Sequence, residues 1–194
     1  MNVLVIPEDF RKDQYILKPL FSKLFRTIGR PRVTIEVCRD PVLGGVNEAL
    51  KPERILEVVR QHGGMTDIFI LCIDRDGVVG RRQRLDEIEA RVESEFDGAH
   101  VFVAENAWEE IETWILAGLE LPKGWRWIDV RTEVHVKERY FDVLAEERGL
   151  TYGPGEWRTT LGQEASRRIG AIRQKCPDDF DALARRLEAI VRRD

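Results

Sequence analysis

The chain has 194 residues, 43% of them hydrophobic and 34% charged, with a formal net charge of -4. That length allows one domain, or one domain with an appendage, and the composition suits a globular chain able to bury a core. The charge excludes a uniformly basic nucleic-acid glove but not a local basic patch, and no apolar run approaches the length that spans a bilayer.

Val3 to Ile6 is a short apolar run and predicts a first strand, closed at once by Pro7, Glu8 and Asp9. Ile16, Leu17, Leu20, Phe21, Leu24, Phe25 and Ile28 recur at helical spacing, with Asp13 as the expected cap and Gly29 as the stop. Pro19 inside that pattern predicts a kink or a later start. Val33 to Cys38 alternates like an edge strand, and residues 39–51, with Gly44-Gly45, read as a loop. Pro52 opens a helix that ends near Gly63-Gly64. Ile68 to Ile73 is uninterrupted and apolar, as expected of a parallel strand buried on both faces. Arg81 to Phe96 reads as a charged helix with Leu85, Ile88, Val92 and Phe96 on one face. Val101 to Ala104 predicts a fourth strand, and residues 105–117 show a helical pattern.

Strand alternating with helix points to an α/β fold: a doubly wound, mostly parallel four-stranded sheet over residues 1–120. Leu121-Pro122-Lys123-Gly124 reads as a boundary to a helical C-terminal extension, residues 121–194, packed on that domain. Helices are expected at Val134–Arg148, Thr160–Lys175 and Asp178–Arg193, with breaks at Gly153-Pro154-Gly155 and Cys176-Pro177. Phe180, Leu183, Leu187, Ile190 and Val191 form one stripe, best explained by packing onto the α/β domain, with a partner-binding face as the alternative. The Arg-rich last turns (Arg185, Arg186, Arg192, Arg193) complement a helix dipole or contact phosphate. Cys38, Cys72 and Cys176 lie far apart, a reduced pattern with neither zinc spacing nor a disulfide framework. The N-terminus runs straight into a strand without a basic segment or cleavage site, so a cytoplasmic protein without a secretory signal is expected.

The chemistry gathers at strand ends. Side chains two apart on an extended chain point the same way, so Asp74 and Asp76 should project together from the end of the buried strand. That end is where open α/β sheets bind ligands. Paired carboxylates in a low-dielectric site call for a cation, and oxygen donors select Mg²⁺ or Mn²⁺. The plain alternative is an Asp-Gly turn with solvated acids. Glu8 after the first strand and an acidic cluster after the fourth fall on the same sheet edge. No P-loop motif competes, and His62, His100 and His135 are scattered as surface or structural residues. Trp114 reads as core, with Trp108 on another helix face.

An apolar strand ending in Glu8 and a later one ending in Asp74-x-Asp76 resemble the TOPRIM fold of topoisomerases, primases and OLD-type nucleases. With Ile111-Glu112-x-Trp114 after the fourth strand, and Tyr140 and Cys176-Pro177-x-x-Phe180 in the tail, the chain is similar to a small bacterial TOPRIM-like family of unknown function, often found beside an ABC-type ATPase. The resemblance implies a Mg²⁺-dependent nuclease acting on DNA or RNA, in phage defence with that ATPase. Glu8 would bind metal or shuttle a proton, Asp74 and Asp76 would be ligands, and Glu112 a further acid. Lys137 or Arg139 would steady transition-state charge. TOPRIM domains follow the first Glu with Gly, whereas here Asp9-Phe10 follow, which leaves Glu8 and Asp9 both open as the functional acid. Arg75, Arg81, Arg82 and Arg84 are candidates to hold a phosphate backbone, or else a solvated helix face. The alternatives are a catalytically idle TOPRIM-like binding subunit of an ATPase complex and a receiver-like phosphoacceptor. Oligomeric state is left open, a homo-oligomer included.

Overall fold

Ile68–Asp74 forms strand β3, and every residue from Ile68 to Ile73 is buried. It lies inside a sheet with β1 (Asn2–Pro7), β2 (Thr34–Val37) and β4 (Val101–Ala107), all parallel, in the order β2-β1-β3-β4. The computed structural model describes residues 1–150, 153 and 155–193; Pro154, in the expected break, lies outside them. The chain moves from β1 to β2 in one direction, then back across to β3 and β4. Right-handed crossovers must then put the first connecting helix on one face and the later ones on the other.

The two cores follow that rule. Ile68, Ile70 and Cys72 face α1 (Phe10–Thr27), whereas Phe69, Leu71 and Ile73 face α3 (Pro52–His62) and α4 (Arg81–Glu95). The direction reverses between β1 and β3, so the crevice at their C-terminal ends is the topological switch point. Glu8 and Asp74 lie there.

The α1 face is thickened by α5 (Glu112–Gly118), α8 (Glu156–Ser166), α9 (Ile169–Lys175) and α10 (Phe180–Val191). Phe180, Leu183, Leu187 and Val191 are buried in the same core as β3, with Phe180 edge-on to Trp114 at 5.2 Å. Smaller helices are α2 (Val46–Ala49), α6 (Trp127–Thr132) and α7 (Asp142–Glu147).

Several elements differ from the sequence expectation. β4 continues to Ala107, because Glu105, Asn106 and Ala107 pair with Cys72, Ile73 and Asp74, and α5 starts only at Glu112. A buried glutamate is tolerated in that strand because Arg82 donates to it at 3.1 Å. Asp9, not Asp13, caps α1: its carboxylate accepts from the Arg11 amide at 3.0 Å, so the helix begins at Phe10. Pro19 neither delays nor ends α1. The Tyr15 carbonyl that it leaves without a helical donor lies against Gly162, where an added Cβ would stand 3.1 Å away, so glycine lets α8 close over this spot. The expected Val134–Arg148 helix is a π turn, Lys137–Phe141, leading into α7; the Lys137 amide, free of an intrahelical acceptor in the first turn, donates to the Glu110 carboxylate at 2.6 Å. Thr160–Lys175 divides into α8 and α9 at Arg168.

Candidate metal site

Asp74 is the last residue of β3 and its carboxylate accepts from the Ile111 amide at 2.8 Å. Burial pushes its carboxyl well above the usual range, and the negative charges of Glu112, Glu8 and Asp13 add to that. Glu8 follows β1 directly and accepts weakly from the Asp74 amide at 3.5 Å. Burial and the charge of Asp76 raise it to about 7.

Asp76 is beyond the strand, in a left-handed turn (φ 52°). Side chains rarely adopt that conformation without something holding it. Here Glu109 does so, itself left-handed at φ 67°. Its carbonyl accepts from the Arg75 and Asp76 amides at 2.8 and 3.2 Å, and its carboxylate accepts from the Gly77 amide at 2.6 Å and pairs with Arg75. Burial raises the Asp76 carboxyl, opposed by Arg81, which stands 3.7 Å away. The loop after β4 also brings in Glu110, raised to about 7 by burial despite the Lys137 amide that it accepts from.

Asp74, Asp76 and Glu110 each offer one carboxylate oxygen, and the three lie within 4.8 Å of one another. Octahedral oxygen ligands at about 2.0–2.1 Å from a metal lie about 3–4 Å apart. The donor set is all hard oxygen and half buried, so this cluster could hold a metal ion.

The structure places the other expected residues as follows. Glu112 is near the cluster, but it is buried in an ion pair with Arg158. Asp9 is occupied as the helix cap, so Glu8 is the acid that faces Asp74. Arg75 lies on the Trp108 ring at 3.8 Å and pairs with Glu109. Arg81 is buried beside Asp76. Arg82 binds Glu105, Asp86, Glu89 and the Ala104 carbonyl. Arg84 pairs with Glu87 and the Leu50 carbonyl. All four guanidiniums therefore have partners within the chain. Lys137 is at the edge of the cluster, its ammonium 3.9 Å from Glu138. His135 is exposed, close enough to oppose the rise of the Asp76 carboxyl.

From the acidic cluster after β4, sequence reasoning singled out Glu112 and not Glu109 or Glu110, and it read Asp13 only as a helix cap. The run Glu109-Glu110-x-Glu112 held the signal for the first two, but which of its acids faces Asp74 depends on the left-handed turn at Glu109. Asp13 is buried under the cluster and raised to about 8, mainly by burial and then by Glu112.

Asp179 braces this loop from the C-terminal side. It accepts from the Trp108 amide at 2.8 Å, from Trp114 Nε1 at 2.7 Å, and from both terminal nitrogens of Arg131 at 2.9 and 2.7 Å. A cavity of about 680 Å³ is at the opposite ends of the strands, near Arg30, Asp67 and His100, and holds none of these acids. The chemistry thus favours the C-terminal edge over the larger hollow. Comparison with family models, with curated proteins and with solved structures finds no match to this chain.

Proposed function

We propose that the chain is a TOPRIM-like, Mg²⁺- or Mn²⁺-dependent hydrolase of phosphodiester bonds in nucleic acid. The observation that carries this reading is the convergence of Asp74, Asp76 and Glu110 within 4.8 Å at the switch point of a parallel sheet. Those three would hold the cation, in place of the set Glu8, Asp74 and Asp76 expected from sequence. When bound, the ion supplies Lewis-acid stabilisation of charge on the phosphoryl oxygens. Glu8, raised to about 7, exchanges its proton near neutral pH. It is therefore suited to take a proton from an attacking water. Arg81 orients Asp76, and Glu109 fixes the turn that presents it. Lys137, whose charge acts on Glu110, would steady charge on a bound phosphate.

The test is cleavage of labelled DNA and RNA oligonucleotides with Mg²⁺ or Mn²⁺, by the wild type and by Asp74→Asn and Glu110→Gln. Cation-dependent cleavage that both variants lose supports the reading; wild-type cleavage that either variant keeps removes it.

One observation favours a second reading, a non-catalytic subunit docked on a partner such as an ABC-type ATPase. Val79 is 99% exposed and Val78 46% exposed at the loop beside the acids. Wild-type protein that binds Mn²⁺ but cuts no oligonucleotide alone would favour this second reading.

A further inference from the structure

We infer that the groove next to Glu8 is a nucleobase subsite, so that the proposed hydrolase takes its nucleic acid single-stranded. The inference rests on the phosphodiester reading for what lies at the acids, but the groove has its own evidence. A cavity of about 360 Å³ opens beside Glu8, lined also by Asp9, Phe10, Arg11, Val42, Gly44 and Gly45. Glu8 belongs both to the groove and to the acid site, so a ligand in one adjoins the other.

The walls select the ligand. Phe10 is half-buried and Val42 is 49% exposed, which leaves apolar surface uncovered at the groove. Gly44 and Gly45 have left-handed φ angles of 73° and 115°, and an added Cβ would meet nothing within 4 Å at either. Their backbone is bare toward solvent and allows a flat group to approach closely. The Gly45 amide donates to the Glu8 carbonyl at 3.1 Å, which ties this wall to the end of β1.

Glu8 and Asp9 in its walls would repel a second phosphate. They do not repel an uncharged base. Arg11 is an exposed lining residue with its guanidinium over one face of the Phe10 ring, 6.0 Å from the centroid, and it makes no ion pair among the described residues. It is placed to meet the phosphate that flanks a base held in the groove. A base inside a duplex has both faces covered by its neighbours, so stacking against Phe10 requires an unpaired one.

The test uses a nine-nucleotide deoxyoligonucleotide carrying one 2-aminopurine, whose fluorescence is quenched on stacking, titrated with the full chain in Ca²⁺. The wild type should quench it saturably, and the same sequence as a duplex should compete poorly. Phe10→Ala should weaken binding by ~5- to 100-fold and Phe10→Trp should retain it. Val42→Asp alters an exposed side chain, so it keeps the test valid if Phe10→Ala fails to fold, and it should also weaken binding. No quenching by the wild type, equal competition by duplex, or unchanged affinity in folded Phe10→Ala and Val42→Asp would each overturn the subsite. Mn²⁺ binding, followed by electron paramagnetic resonance on the same wild-type sample, separates the two readings. Mn²⁺ bound without quenching overturns the subsite alone. Quenching without Mn²⁺ binding supports the subsite and overturns metal-dependent hydrolysis.

Discussion

Asp13→Asn removes one titrating proton from beneath the acid cluster while keeping an oxygen to accept from the Asp9 amide. The wild-type carboxyl is pushed from 3.8 up to about 8, first by burial and then by the charge of Glu112. Between pH 5 and 8 the unfolded carboxyl is ionised while the folded one keeps its proton. The folded state binds more protons, so this group's contribution to stability falls as pH rises. Each proton costs about 1.4 kcal/mol per pH unit, and integrating to a folded value near 8 gives a loss of about 3–4 kcal/mol from pH 5 to pH 8. The amide of the variant cannot titrate and carries no such loss. Glu105 and Glu110 are raised as well, but Asp13 is not among the charges that shift them, so they drop out of the difference. Asp74 and Glu8 do feel Asp13, but only where its carboxyl ionises, toward pH 8. Urea denaturation at pH 5, 6, 7 and 8 reads it. The variant should gain on the wild type steadily with pH, by about 3–4 kcal/mol across the range. A stability difference that does not change with pH would show that Asp13 is ionised in the folded state and would refute the reasoning.

Other expectations follow from packing and pairing. Arg158→Leu should cost about 3–5 kcal/mol in urea denaturation by leaving Glu112 buried and unpaired, and adding Glu112→Leu should restore most of it; a double variant as unstable as the single would contradict this. Asp179→Ala strips the partners of Arg131, Trp108 and Trp114 at once and should also cost about 3–5 kcal/mol. Its melting temperature should drop by roughly 6–20 °C in calorimetry; a change under about 2 °C would show that the brace is unimportant. Gly118→Ala places a Cβ 2.6 Å from the Ala165 carbonyl and should lose about 1–3 kcal/mol. Gly170→Ala, in α9 with open space around it, should be neutral or gain up to about 1 kcal/mol. Thermal melts that rank the two glycine variants the other way would refute the close contact between α5 and α8.

The doubly wound sheet was legible because its signals are local. Ile68 to Ile73 can be buried on both faces only in a covered parallel sheet, and the α1 stripe has one periodicity. The end of β4 was not legible, since Glu105 and Asn106 look like a helix start until Arg82 and the β3 register account for them. Asp74 and Asp76 do converge, but not by strand alternation: β3 stops at Asp74, and a left-handed turn locked by Glu109 returns Asp76 to the site. That lock joins segments far apart in sequence, and with it comes the choice of Glu110 over Glu112 as the third acid. Glu112 instead meets Arg158, 46 residues away, a pairing with no local sign in either segment.

The most direct test of the cation site is Mn²⁺ binding measured by electron paramagnetic resonance, on the wild type and on Asp74→Asn with Glu110→Gln. The account predicts saturable wild-type binding below millimolar Mn²⁺, displaced by Mg²⁺ and abolished in the double variant. No wild-type binding at millimolar Mn²⁺, or binding that survives both substitutions, would contradict it.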